Sequence, residues 1–293
     1  MANKIKQSFQ LFDGAMGTML QNQGLEIGEI ADEYNLTYPE VVLGIHKEYL
    51  EAGAEILTTN TFGANRLRLK DSVYSVREVI TAGVKLAQEA CDQFIVAGQP
   101  VPKKQVALDI GPIGLPLSFE ESYEIFKEQI TAGVTAGADL ILLETMLNLS
   151  EVKAAVVAAK ENSDLPVYCT MTFQEDGQTF DGTDIATFVS IVEELRVDAL
   201  GANCSYGPKQ LQAVADGLLK HASIPVMIQA NAGLPKEKDG NLYYDMNPKE
   251  YTKEMIKMSE KGVTIFGGCC GTTPEYIITL KESLSKIGDK SFY

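Results

Sequence analysis

The chain has 293 residues, 45% hydrophobic and 22% charged, and its formal net charge of −15 excludes the basic groove of a nucleic-acid binder and the cationic face of a protein that docks on anionic membranes. No apolar run approaches the roughly 20 residues of a membrane span, and the N-terminus lacks an apolar core of signal-peptide length. Five scattered cysteines (91, 169, 204, 269 and 270) fit reduced cytoplasmic thiols better than a disulfide framework.

Short apolar runs alternate along the chain with longer amphipathic stretches. FQLFDG (9–14), EILTTNTF (55–62), QVALDIGP (105–112), DLILLET (139–145), VYCTMTF (167–173), DALGANC (198–204), PVMIQANAG (225–233) and VTIFGGCC (263–270) read as buried parallel strands. The stretches 39–53, 118–137, 150–162 and 247–262 have helical periodicity and precede the second, fourth, fifth and eighth strands. Ser150 is the expected N-cap of the third of these helices. EAGAEI, TAGADL and EKGVTI each put a glycine at the C-cap before a strand.

Eight such units without a linker or low-complexity segment predict a (β/α)8 TIM barrel, one domain over 1–293 with its core at about 9–285. An open doubly wound sheet is the alternative, but FDGAMGT after the first strand is not its GxGxxG fingerprint.

Barrel active sites form at the C-terminal ends of the strands. Those ends are Asp13, Asn60, Asp109, Glu144, Thr172, Cys204, Asn231 and the pair Cys269–Cys270, with no His, Lys or Arg. A His-based triad and a Schiff-base aldolase are thereby disfavoured. His46 in GIHKEYL and His221 in LLKHASIP read as surface or helix-end histidines, and Cys91 and Cys169 as small buried hydrophobes.

Cys204, Cys269 and Cys270 fall at the mouths of strands six and eight, close enough around a barrel to share one ion. Gly267, Gly268 and Gly271 supply freedom to turn two successive sulfurs the same way. Coincidental buried cysteines in a Gly-rich turn are the plain alternative. A disulfide between adjacent cysteines is strained, whereas three thiolates with a fourth position open suit a catalytic Zn2+. Three thiolates make zinc a weak Lewis acid for water but a good holder of a further thiolate, so the chemistry implied is alkyl transfer to a thiol substrate. Asp13 and Glu144 suit the ammonium of an amino-acid thiol, and the amides of Gly14 and Ala15 its carboxylate. An N-cap role for Asp13 and a barrel ion pair for Glu144 remain open at this point.

FDGAMGTML, TNTFGAN, LLET, GANCSYGP, QANAGLP and GGCCGTTPE together resemble the homocysteine S-methyltransferase family, most closely the homocysteine-binding module of its cobalamin-dependent branch. The resemblance runs from about residue 9 to 285. It implies a TIM barrel that makes methionine from homocysteine, Zn2+ on Cys204, Cys269 and Cys270, and the substrate amine on Asp13 and Glu144. It also implies that Asn231 offers its side-chain oxygen to the metal when homocysteine is absent. The implied donor is methylcobalamin, carried by a cobalamin-binding module or a separate corrinoid protein, with a folate-binding module as a further partner. S-methylmethionine and S-adenosylmethionine are rival donors. Betaine is disfavoured by the absence of Trp for an aromatic cage.

Two readings of other classes compete. The turn at 267–271 followed by Thr272 and Thr273 is placed where many barrels bind phosphate, which suits a lyase or isomerase. A non-catalytic zinc-binding subunit is the other.

Overall fold

The computed structural model describes residues 8–26, 28–94, 103–238 and 241–288. Its strands are β1 (Gln10–Leu11), β2 (Ile56–Thr58), β3 (Gln105–Ile110), β4 (Leu140–Met146), β5 (Val167–Met171), β6 (Ala199–Asn203), β7 (Val226–Ala230), a hairpin of β8 (Pro235–Lys238) and β9 (Asn241–Tyr244), and β10 (Ile265–Gly268). Its helices are α1 (Met16–Asn22), α2 (Tyr34–Thr37), α3 (Pro39–Glu51), α4 (Val76–Gln93), α5 (Phe119–Ala136), α6 (Leu149–Asn162), α7 (Ile185–Glu194), α8 (Leu211–His221), α9 (Pro248–Lys261) and α10 (Pro274–Gly288), with a 3₁₀ turn at Ala31–Glu33.

Eight strands pair in parallel in the order β1-β10-β7-β6-β5-β4-β3-β2. A parallel bridge between Phe12 and Ile56 brings the two outer strands together. There Glu55 N donates to Leu11 O at 2.8 Å and Asp13 N to Ile56 O at 3.2 Å. Closure leaves no edge to protect, and the (β/α)8 barrel expected from the sequence is the fold observed.

Side chains alternate across a strand with period two. The inward set therefore reads in layers. Phe12, Ile56, Ala107, Leu140, Leu142, Ala199, Met227 and Ile265 form one buried apolar cluster, with Tyr168 packed against it. Two residues further along the same faces come Thr58, Asp109, Glu144, Thr170 and Gln229, all polar. The barrel thus has an apolar plug below and a polar floor above it, and the floor faces the βα loops. Between Ala199 and Asn203, Gly201 is required for space, since a Cβ there would lie 1.9 Å from Met227 O.

Local signals hold with three exceptions. Gly53, Gly137 and Gly262 follow α3, α5 and α9 with φ of +98°, +100° and +125°, as expected of helix-terminating glycines. The N-cap of α6 is Asn148, not Ser150: extended at φ −145°, Asn148 accepts the Glu151 N–H, and Ser150 lies inside the first turn. His46 is not a surface histidine. It lies on the inner face of α3, is fully buried, and has no hydrogen-bond partner on either ring nitrogen. His221 is exposed at the end of α8, as expected. The β8–β9 hairpin was not foreseen.

Candidate metal centre and substrate cavity

Cys204 directly follows β6 and Cys269–Cys270 directly follow β10, with β7 between them in the sheet. Their backbones are pinned to β7 and its loop: Cys204 N donates to Gln229 O, Cys269 N to Ala230 O, and Ala232 N to Cys270 O. Cys204 adopts φ +64°, a left-handed conformation that costs a non-glycine residue roughly 1 kcal/mol or more. The result is convergence. Cys204 Sγ lies 3.6 Å from Cys270 Sγ, and all three sulfurs lie within 4.8 Å of one another.

The glycines act differently from the expectation. Gly267 and Gly268 have no positive φ; both lie within β10. They supply space: a Cβ on Gly267 would meet Phe12 Cβ at 2.9 Å, and one on Gly268 would meet Thr272 Oγ1 at 2.3 Å. Only Gly271, at φ +80°, is a turning residue, and the Tyr244 ring packs onto it.

Three sulfurs this close cannot all ionise unaided. Hydrogen bonds from Cys204 and then Cys269, with a further one from the Tyr244 hydroxyl, draw the Cys270 thiol well down. Cys269 is pushed well above the usual thiol range by the same sulfur contacts, Cys204 first and then Cys270, and by burial. A divalent ion in the middle would replace the missing protons. Three soft sulfur donors are the chemistry zinc prefers.

Asn231, just beyond β7, donates from Nδ2 to the Cys204 carbonyl at 2.6 Å, which leaves its Oδ1 buried and without a partner. That orphan oxygen sits one residue position from the strand that separates the cysteines.

A cavity of about 330 Å³ opens beside the sulfurs, lined by Cys204, Cys269, Cys270, Glu144, Asp109, Gly14 and Ala15 among others. This volume suits a small ligand. Glu144 sits where β4 shifts register between Leu143 and Met146, and Thr145 has φ +56°. Burial, then the charges of Cys270 and Asp13, raise the Glu144 carboxyl to about 8. Asp13 is not an N-cap. Its two oxygens accept the Thr58 N–H and hydroxyl, each at 2.9 Å, and burial raises it to about 7. The Ala15 amide is engaged as well, donating to Thr272 Oγ1 at 3.1 Å, so it is not a free donor for a carboxylate.

Thr272 N and Thr272 Oγ1 both donate to the Cys269 carbonyl, and Gly271 N donates to Thr18 Oγ1. These three donors are thus spent within the protein and are not free for a phosphate.

Two residues of the site went unnoticed in the sequence. Fully buried Asn203 accepts at Oδ1 from Thr145 N and Thr170 Oγ1, both at 2.8 Å. Its Nδ2 donates to Thr145 Oγ1 at 2.7 Å and Glu144 Oε2 at 3.3 Å, and lies 3.9 Å from Cys269 Sγ. Counting by twos from inward Ala199 would have found it. Tyr244 arrives on the hairpin, for which the strand pattern held no signal.

A profile described as homocysteine S-methyltransferase matches residues 10–284. The chain belongs to the homocysteine S-methyltransferase family. Proteins named methionine synthase from Mycobacterium leprae and Mycobacterium tuberculosis are each 32% identical over 97% of the chain. The chain spans about a quarter of the length of these relatives, 25% in both cases. The solved homocysteine methyltransferase MmuM from Escherichia coli is similar in its apo form, with 26% identity, a TM-score of 0.79, and coverage of 94% of this chain and 96% of that one. Its metallated form shares the fold at a TM-score of 0.84 and 24% identity, covering 95% and 97%. Among the described residues of this homocysteine S-methyltransferase family member, no helix is long and apolar enough to cross a membrane.

Proposed function

We propose that this chain methylates homocysteine to methionine at a zinc centre formed by Cys204, Cys269 and Cys270. The observation that carries the reading is the convergence of three sulfurs within 4.8 Å at the wall of a cavity that also presents Glu144. Zinc held by these cysteines would supply the charge that keeps a substrate thiol deprotonated at neutral pH while the sulfur remains electron-rich.

The chain's own residues do the rest. Glu144 offers a carboxylate to the substrate ammonium, with Asp13 adding negative charge from behind the cavity wall. Ammonium binding favours the ionised form of Glu144, offsetting the burial that raises it. Gly14 lines the cavity, and its amide is the donor this reading assigns to the substrate carboxylate. Asn231 Oδ1, unpartnered, would be the protein oxygen available to the metal when no thiol is bound. In the transfer, a sulfur–carbon bond forms to the incoming methyl, the donor–carbon bond breaks, and its electron pair leaves with the donor.

Methylcobalamin is the donor this reading favours, presented by a cobalamin-binding module or a corrinoid protein, with a folate-binding module upstream of that step. The similarity to methionine synthases four times as long supports it. The cytoplasm is the compartment in which such reduced thiols persist. The deciding experiment offers homocysteine to zinc-loaded protein with methylcobalamin, S-methylmethionine, S-adenosylmethionine or betaine in separate assays. Methionine should form with methylcobalamin. Turnover that persists in verified zinc-free protein, or zinc uptake with no effect of homocysteine on the site, overturns the reading.

A further inference from the structure

Asp109 is the one buried carboxylate oxygen without a partner among the described residues: Oδ1 accepts from nothing, although the residue is only 7% exposed and lines the cavity. Its backbone is held rigidly, Asp109 N donating to Thr59 Oγ1 at 3.0 Å and its carbonyl accepting from Thr61 Oγ1 at 2.7 Å. Burial first, then the like charges of Glu144, Asp13 and Asp32, push its carboxyl well above the usual carboxylate range. A buried carboxyl oxygen without a donor is unfavourable, and among the described residues none supplies one to Oδ1.

The order of strands around the barrel suggests what does. Asp13 follows β1, Thr58 ends β2, Asp109 is in β3 and Glu144 is in β4. Asp109 therefore stands between the two carboxylates already associated with a substrate ammonium. A primary ammonium carries three N–H donors. Asp13 already accepts two hydrogen bonds from Thr58, and Glu144 accepts one from Asn203. Asp109 Oδ1 is the acceptor left free.

We propose that Asp109 is a specificity-determining member of the substrate site, accepting a hydrogen bond from the primary ammonium of the thiol substrate and rejecting thiols that lack it. The assignment rests on the methyltransferase reading above. A thiol acid without the ammonium brings no donor to this end of the cavity, so Asp109 Oδ1 stays unpaired and the ligand is bound less well. Selectivity of this kind is large because a ligand that fails to pair a buried polar group is penalised in full.

The test compares homocysteine with 4-mercaptobutyrate, which has the same thiol and carboxylate but no ammonium, by calorimetric titration into zinc-loaded wild type and D109N. D109N should bind homocysteine at least tenfold more weakly and 4-mercaptobutyrate no more weakly than wild type, with zinc content unchanged. Its ligand-free melting temperature should not fall, since Asp109 Oδ1 has no hydrogen bond to lose; a purely structural aspartate would lose stability. D109S serves as the second variant, because it has no amide to turn towards Glu144. If both variants keep the wild-type preference between the two thiols, the role of Asp109 is wrong while the function stands. If wild type takes up zinc but no homocysteine, both fall.

Discussion

Asn203 donates to Glu144 across the barrel, Nδ2 to Oε2 at 3.3 Å, although 59 residues separate them in the chain. The same nitrogen lies 3.9 Å from Cys269 Sγ. One amide thus ties the carboxylate assigned to the substrate ammonium to a sulfur assigned to the metal. Its orientation is not free to reverse, because Oδ1 must accept the Thr145 N–H.

The first prediction concerns this amide. Asn203→Ala strands a buried backbone N–H and two hydroxyls, so stability should fall by about 1–3 kcal/mol. Glu144 also loses its fixed orientation, and misplacement of a substrate group by an ångström costs up to about 100-fold in rate. Denaturant unfolding and homocysteine-dependent turnover check the two effects. Asn203→Asp should be worse for turnover at equal stability, since it adds a like charge beside Glu144. Turnover within twofold of wild type in a folded Asn203→Ala protein would rule the coupling out.

A second prediction separates strain from ligation at Cys204. Its φ of +64° suits glycine. Cys204→Gly and Cys204→Ala should both lose stoichiometric zinc, but in metal-free protein the glycine variant should be the more stable by about 1 kcal/mol. Metal analysis and metal-free melting curves read the two quantities independently. If alanine proves the more stable, the strain at this position is not real.

Much of this was legible before the structure. Parallel strands buried on both faces leave continuous apolar runs, and eight of them in order leave few topologies, so the barrel and its strand ends could be read directly. The cysteines could be read because two adjacent thiols at a strand end have little packing use. What escaped was whatever depends on direction. The role of Gly268 is set by Thr272 Oγ1, and the loss of the Ala15 amide is set by that same hydroxyl, neither of which the pattern reveals. One polar residue in a helical pattern does not say which way it faces, and α3 turns His46 inward. The hairpin carrying Tyr244 is an insertion with no counterpart in the repeat.

Glycine roles inside the barrel give the third prediction. Gly201→Ala drives a Cβ into the Met227 carbonyl at 1.9 Å, where backbone on both sides resists movement. Overpacking costs about 1–3 kcal/mol and more against backbone, so this variant should fold poorly or not at all. Gly17→Ala, in α1 with nothing within 4 Å of the new Cβ, should instead stabilise by about 0.5–1 kcal/mol. Expression and denaturant midpoints of the pair decide the matter. A well-folded Gly201→Ala protein would show that β6 and β7 can move apart.

The fourth prediction uses His46. Burial lowers its imidazole from 6.5 to about 4. In the folded state it stays neutral down to that value, while in the unfolded chain it takes a proton near 6.5. Between these values the unfolded state binds more protons, so this residue's contribution to stability is full above about pH 6.5 and is lost as pH falls to about 4. At about 1.4 kcal/mol per pH unit, the loss over that window approaches ~3 kcal/mol. Asp13 and Glu144 act with the opposite sign. Their folded pKa values, about 7 and about 8, are raised, so they favour folding as pH falls. The whole-protein profile therefore hides the histidine, and a difference measurement is needed. His46→Leu should gain stability relative to wild type as pH drops from 7.5 to 4.5, whatever its offset at neutral pH. Urea unfolding of both proteins at the two pH values gives that difference, and a difference independent of pH would mean the imidazole finds a partner when it takes a proton.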